Sequence, residues 1–451
     1  MEELAELGHL LVFAFLFFFA SYMVAPVMTD VTMEALCPGR DECSLAIYLT
    51  GLQQAVTGLG ALVVTPIVGN LSDRYGRKAL LALPAMASIV PLGILAYNRT
   101  KAYFYAYYIT KTLTAMVSEG GMQCLSLAYV ADKVPETRRA TAFGIFSGVC
   151  TAGFVGGTIA ARFLSVSSTS SSEHPHRPPY RTCSGGNIVS AVAAVAAAVY
   201  MKAFLHETDG GASRSDEEAS HPLCLASSSS EEMSPRLPPL RKAPSLSEMG
   251  AFLASSSTFS RAAAVTFFHS IGETGLLTAL MYFLKAKFHY SKNQYANLLL
   301  IIGITGSFSQ LTVLPLLVPK LGEQKLLIIA LTASCGHAFL YSIAWSFWVP
   351  YLAASLVLLS FLVTPCIRSI VSKKVGPFEQ GMVQGCITGI SSIANVISPL
   401  VFTPLTAWFL SETVPFNFKG FSIACSGFAT LVALAISINM RPTGVQQPER
   451  K

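Results

Sequence analysis

Charge is scarce in this sequence: 12% of its 451 residues are Asp, Glu, Lys or Arg, about half the share of an average soluble domain. A chain so poor in charge cannot clothe a globular surface in polar groups. Sequence signatures of several chemistries are missing as well. There is no Walker A loop, no Gly-x-Ser-x-Gly elbow and no His-Glu-x-x-His helix, so ATP hydrolysis and hydrolysis within a membrane have no candidate site. No catalytic residue and no cofactor are expected, and the chain does not read as an enzyme. Ten cysteines are present, but Cys124, Cys150, Cys335, Cys366, Cys386 and Cys425 stand singly inside apolar runs and read as small packing residues. Only Cys37 and Cys43, in CPGRDEC, lie close together in a polar loop, where a disulfide is a candidate if the loop faces an oxidising compartment; Cys183 is a third candidate. That loop offers too few ligands for a metal.

Apolar residues fill the space that charge leaves. They make up 52% of the chain, its mean hydropathy is +0.53, and runs of about 20 apolar residues, the length that crosses a bilayer, recur from Leu10 to Met440. Spans are expected near 8–29, 45–68, 79–97, 103–130, 141–164, 187–205, 260–284, 295–318, 326–345, 349–371, 381–405 and 421–440. The first run follows an acidic stretch (Glu2, Glu3, Glu6) with no small-residue cleavage site before Asp30, so it reads as a retained span and not as a signal peptide. The expected fold is therefore an all-α integral membrane protein, with twelve transmembrane helices in two pseudo-symmetric six-helix bundles. The net charge of +6 falls mostly in short loops between apolar runs, a topology signal and not a nucleic-acid face. Loops on the side of the termini hold more Lys and Arg, among them Arg77, Lys78, Arg138, Arg139, Lys373 and Lys374, than loops on the other side. That bias puts both termini in the cytoplasm. Of two glycosylation sequons, this orientation makes Asn98 available and Asn70 not.

Residues 206–259 change character, being rich in Ser, Glu and Pro. Such a segment cannot bury a core and is expected to be a disordered cytoplasmic linker between an N-terminal bundle (1–205) and a C-terminal bundle (260–440), with a cytoplasmic tail at 441–451. Its serines beside charged residues could be substrates for kinases; the plainer reading is a solvated tether. The two bundles look like repeats. KVPETRRATAFGIFSG and KVGPFEQGMVQGCITG each place Lys-Val nine residues before a Gly-x-x-x-Gly pair, Gly144 and Gly148 in one, Gly385 and Gly389 in the other. Small residues at this spacing let helices in lipid approach closely.

Between the second and third spans stands GNLSDRYGRK, with Gly69, Asp73, Arg74, Gly76, Arg77 and Lys78 at the specified positions of G-x-x-x-D-R-x-G-R-K. Two glycines permit a tight turn and close approach, and one carboxylate among three cations can form an ion-pair latch. This segment resembles the cytoplasmic loop motif of the major facilitator superfamily, whose members are secondary transporters. The resemblance implies that Asp73 faces the N-terminus of the eleventh helix, where the dipole favours an anion, and that Arg77 reaches the end of the fourth, where Asp132 is the available acid. The matching loop of the second half, VPKLGEQK, keeps Gly322 and Lys325 but has no acid at the corresponding place, so the latch is expected on one side. Gly144, Gly153 and Gly157 also resemble the glycine motif of antiporters in this superfamily, although Thr158 replaces its proline and Ala161-Arg162 its last glycine pair. YVADKVPETRRATAFG and EQGMVQGCITGISSIANVISPL are most similar to the tetracycline-resistance-like branch and its hippocampus-abundant-transcript-like members.

Ionisable residues within spans are functional candidates by default. Glu119 is central in span four, with Lys111 two turns before it and Gln123 one turn after; His269 and Glu273 share one face of span seven. Glu119 and Glu273 are candidates for proton coupling or solute contact. The plainer readings are a structural pair of Glu119 with Lys111 and a static hydrogen bond of Glu273 to His269. His337 reads as a core histidine, and Gln53, Gln54, Gln310 and Asn395 as either cavity lining or interhelical glue. The expected partners are the lipid bilayer, a small organic solute and a proton. A transporter-derived receptor or sorting adaptor signalling through 206–259 is the rival reading.

Overall fold

The computed structural model describes residues 2–24, 44–97, 100–170, 185–207, 256–290, 292–376, 379–410 and 418–440, with Thr32, Ala35 and Leu36. Cys37, Cys43, Asn98 and Cys183, most of the linker and the tail from 441 lie outside the described residues, as do the side chains of Arg74 and Glu119. Lipid supplies no hydrogen bonds to a backbone, so a chain made of apolar runs must satisfy its amides within each segment, which a helix does. Among the described residues there are helices and no strands.

The first group of helices comprises α1 (Glu2–Met23), α2 (Ser44–Tyr75), α3 (Arg77–Tyr97), α4 (Lys101–Lys133), α5 (Arg139–Ser170) and α6 (Gly185–Phe204). The second comprises α7 (Ser257–Phe288), α8 (Lys292–Phe308), α9 (Leu314–Leu321), α10 (Glu323–Ser342), α11 (Val349–Ser360), α12 (Val363–Ser372), α13 (Gln380–Leu410) and α14 (Phe421–Ile438). Nine segments among the described residues are long and apolar enough to cross a membrane. Helices α4 and α7, with 33 and 32 residues, are not among the nine; they are the helices that carry Lys111 and Glu119, and His269 and Glu273.

Two of the expected spans are interrupted, and prolines account for both. In the eighth, α8 passes into a π turn at Ser309–Val313 before α9, because Pro315 has no N–H for the Leu311 carbonyl. In the tenth, α11 and α12 part at Phe361 and Leu362, since Pro365 leaves the Phe361 carbonyl without its helical donor. The Gln310 side chain, turned inward by the π turn, donates Nε2–H to that carbonyl at 3.1 Å, and it also accepts from Thr151 of α5 at 3.3 Å. Gln310 is therefore interhelical glue in this arrangement.

Within the first group, α1 packs on α5 and α6, α3 on α4 and α6, and α2 on α4; within the second, α7 packs on α13 and α14, and α10 on α11 and α14. Phe13, Tyr129, Phe143 and Phe146 fill the first core. Leu314, Leu327 and Leu362 fill one part of the second, Phe283 and Tyr341 another. The two groups meet where α13 lies on α2 and α4, and where α5 lies on α8 and α12. Gly144 and Gly148 sit at the second of these contacts, against Leu314 and Leu311, and Gly385 and Gly389 at the first, against Pro66 and Leu62. Gly153 and Gly157 instead let α5 close on α1, where added Cβ atoms would lie 3.0 Å from the Phe15 carbonyl and 2.6 Å from that of Phe19.

Candidate functional site

The segment Gly69–Lys78 brings four helix ends together, those of α2, α3, α4 and α13. Gly69 lies against the backbone of Gly381 at the start of α13, leaving no room for a side chain on either residue. One turn on, the Asp73 carboxylate accepts hydrogen bonds from the Gly381 N–H at 3.0 Å and the Met382 N–H at 3.1 Å. These are among the amides that a helix leaves unpaired at its N-terminus, where the helix dipole also favours an anion. Gly76, at φ +92°, makes the turn into α3 and admits the Glu207 carboxylate, which accepts from the Lys78 N–H at 2.8 Å and the Ala79 N–H at 3.2 Å. Arg77, at 2% exposure, pairs with Asp73 and places its Nε 2.8 Å from Asp132 Oδ2 at the end of α4. Burial pushes the Asp132 carboxyl up, against the pull of the Arg77 guanidinium. One arginine thus ties α2, α3 and α4 together while Asp73 reaches into the second group.

The second group has an ion pair at the matching loop, but it stays within that group and does not cross to the first. The acid there is Glu323, the residue after Gly322, and it accepts from the Ser369 hydroxyl at 3.0 Å and from the Lys373 ammonium at 2.5 Å. The carboxylate now begins α10 and the cation follows α12, the reverse of Arg77 and Asp132. A further crossing between groups comes from Arg139 at the start of α5, which donates to Ser372 O of α12 at 3.1 Å and, within its own group, to Ala131 O and Val134 O at 3.2 and 3.3 Å. Gln380 occupies the same place in the sequence repeat and caps the end of α12 in the same way, donating to Ser372 O at 3.0 Å and Val375 O at 3.2 Å.

Away from these helix ends, Glu273 of α7 is held by hydroxyls from two other helices. Ser334 of α10 and Ser360 of α11 both donate to its Oε1, at 2.6 and 3.2 Å. No hydrogen bond joins His269 to it. His269 and His337 are buried, at 8% and 2% exposure, and the Nδ1 of each has no partner among the described residues. Three helices thus surround a carboxylate and two imidazoles with spare hydrogen-bonding capacity. Lys111 and Gln123 are partly buried on α4, and α13 packs against both α4 and α7, so the two sets of candidates flank a common helix. Gln53 donates to Thr112 at 3.2 Å, and Asn395 accepts from Thr274 at 2.7 Å.

Three charged residues of these sites escape the sequence reading. Glu207 caps a helix 129 positions away, a relation that no local pattern carries. Glu323 is displaced from the place the motif specifies. Arg368, at 2% exposure, lies near the end of an apolar run, where a cation reads as a flank, although VTPCIRSIVS keeps apolar residues on both sides of it.

Comparison with known proteins agrees with this geometry. The family described as Major Facilitator Superfamily matches residues 10–399. The chain is 23% identical over 398 residues to Hippocampus abundant transcript-like protein 1 of Homo sapiens, covering 87% of this chain and 69% of that protein. It is 24% identical over 360 residues to the class E tetracycline resistance protein of Escherichia coli, covering 78% and 77%. The crystal structure of the human organic anion transporter MFSD10 (TETRAN) superposes with a TM-score of 0.74 at 18% identity, over 97% of this chain and 100% of that one. The family match extends over most of the sequence, from α1 into α13, so this chain is a multi-pass membrane protein that belongs to the major facilitator superfamily of transporters.

Proposed function

We propose that this protein is a secondary active transporter that moves a small organic solute by alternating access and couples the movement to a proton. In this reading twelve spans form two six-helix bundles, 1–205 and 260–440, joined by a cytoplasmic linker at 206–259, with both termini in the cytoplasm. The observation that carries it is the bond from Asp73 to the amides of Gly381 and Met382. It joins the two groups of helices where α2 meets the start of α13, by contacts that a rocking motion can break and remake, as alternating access requires. Proton coupling is supported by Glu273, a carboxylate within a span whose neighbours include two imidazoles with unpaired nitrogens, because such groups form proton relays in transporters.

The names of the related proteins point to different solutes, so they do not supply one for this chain. Purified protein in proteoliposomes, offered a small-molecule extract with and without a pH gradient, tests the reading. Uptake that depends on the gradient and falls in Asp73→Asn is expected; absence of uptake under every gradient would sink it.

A further inference from the structure

Arg368 of α12 donates from Nη1 to Gln384 Oε1 at 3.0 Å and from Nη2 to Thr388 Oγ1 at 3.1 Å. Both acceptors are neutral, and Nε has no partner among the described residues. The other two buried arginines described each have a carboxylate: Arg77 has Asp73 and Asp132, and Arg139 has Glu136 at 3.8 Å. Arg368 has none among the described residues. A guanidinium keeps its proton in any protein environment, so burial without an anion leaves its charge uncompensated.

Its position gives that charge a use. Gln384 and Thr388 follow Gly381 on α13 by about one and two turns, so Arg368 lies just inward of the amides held by Asp73. From the first group, Cys124 of α4 donates Sγ–H to Gly381 O at 3.4 Å, and a Cβ on Gly120 would stand 3.3 Å from Thr388. Helix α4 therefore packs on the helix whose Gln384 and Thr388 hold the guanidinium, and parting of α4 from α13 would open a way towards it.

We propose that Arg368 is a solute-binding cation and that the transported solute carries an anionic group, a carboxylate, sulfonate or phosphate, that accepts two hydrogen bonds from its fork. The inference rests on the transport reading above and names the class of solute. Gln384 and Thr388 position the guanidinium, and the arriving anion supplies the charge that the protein withholds.

The test is uptake into proteoliposomes from a cell extract read by mass spectrometry, followed by concentration series for the accumulated species. Benzoate with benzamide, and glucuronate with glucose, serve as matched charged and neutral probes. Accumulated species should be anionic, and Arg368→Gln should raise their half-saturating concentration about tenfold to a hundredfold, the loss expected for hydrogen bonds to a charged group. Arg368→Lys, with a cation but no fork, should fall between the two. Melting temperatures establish that the variants are folded; if Arg368→Gln is not, an unchanged half-saturation in folded Arg368→Lys overturns the proposal. So does accumulation of neutral or cationic solutes alone, or anion uptake with the same concentration dependence in Arg368→Gln. Recovery of normal uptake when Glu119→Gln is added to Arg368→Gln also overturns it, since the partner of the cation would then lie within the protein. Failure to accumulate anything in the unaltered protein removes the transport reading, and this inference with it.

Discussion

Gly69 of α2 and Gly381 of α13 meet backbone to backbone, each leaving no room for a Cβ on the other. Gly381→Val should force the helices apart. Overpacking of this kind works against the joined arrangement by about 1–3 kcal/mol. Cys124, fully buried beside Gly381, reports the change: its alkylation, followed in a background without other reactive cysteines, should rise in Gly381→Val. Unaltered labelling in a folded variant would mean that this contact does not hold the groups together.

Asp73→Asn keeps the size of the side chain and removes its charge. Two charge-assisted hydrogen bonds to the start of α13 become neutral ones, a loss of about 1–3 kcal/mol. Transport should fall by roughly tenfold with expression retained. Normal flux would remove the latch from the mechanism, and loss of the folded protein would make Asp73 a folding residue.

The Arg77 pair with Asp132 should also respond to pH. The pair exists while Asp132 is ionised and is lost as pH falls through its pKa. Because burial raises that value, the loss sets in at a higher pH than it would for a free carboxylate. Acidification should therefore free the end of α4 from α3, read as faster hydrogen exchange over Val130–Lys133, and Asp132→Asn should show that exchange already at neutral pH. Wild-type exchange in Asp132→Asn at neutral pH would show that Arg77 needs no partner on α4.

If Glu273 carries the proton, Glu273→Gln should still exchange solute across the membrane, because the amide mimics the protonated acid. It should not concentrate solute against a gradient. His269→Ala and His337→Ala should shift the pH optimum of uptake. Counterflow and pH-driven uptake measured side by side decide the matter: accumulation equal to that of the parent rules Glu273 out as the coupling site, and parallel loss of both modes makes it structural.

Gln310→Leu would leave the Phe361 carbonyl without the donor that replaces its helical one. An unpaired buried carbonyl costs about 1–3 kcal/mol, so the melting temperature should drop. Restoring the helical donor by Pro365→Ala in the same chain should recover it. Equal melting of Gln310→Leu and the parent would show that the break in the tenth span is satisfied in another way.

Helical content, the apolar segments and the motif from Gly69 to Lys78 are legible in the sequence because each depends on residues near one another along the chain. Hydropathy marks a span wherever its length and composition suffice, and less clearly where polar groups are placed inside, as in α4 and α7. Relations across the fold leave no such trace. Asp73 and Gly381 are 308 positions apart, and which amides a carboxylate caps depends on how two groups of helices dock. Breaks at the eighth and tenth spans follow Pro315 and Pro365, but Pro66, Pro399 and Pro404 lie inside unbroken helices, so proline alone does not mark a break, and the joint repair by Gln310 depends on the two helices being neighbours. Arg368 is the reverse case, where the residue is visible and its burial is not.

The charge-reversed pairs also bear on how the protein would behave in different salt. Arg77 with Asp132 and Glu323 with Lys373 each lie within one group of helices, so both survive a rigid-body rotation of one group against the other. The bonds described as crossing between the groups at this end, from Asp73, Arg139 and Cys124, have backbone amides and backbone carbonyls as their partners. Interactions of a buried ion with fixed dipoles are shielded little by mobile ions. The balance between joined and parted states should therefore be nearly independent of ionic strength, which suits a protein whose two faces bathe in different electrolytes.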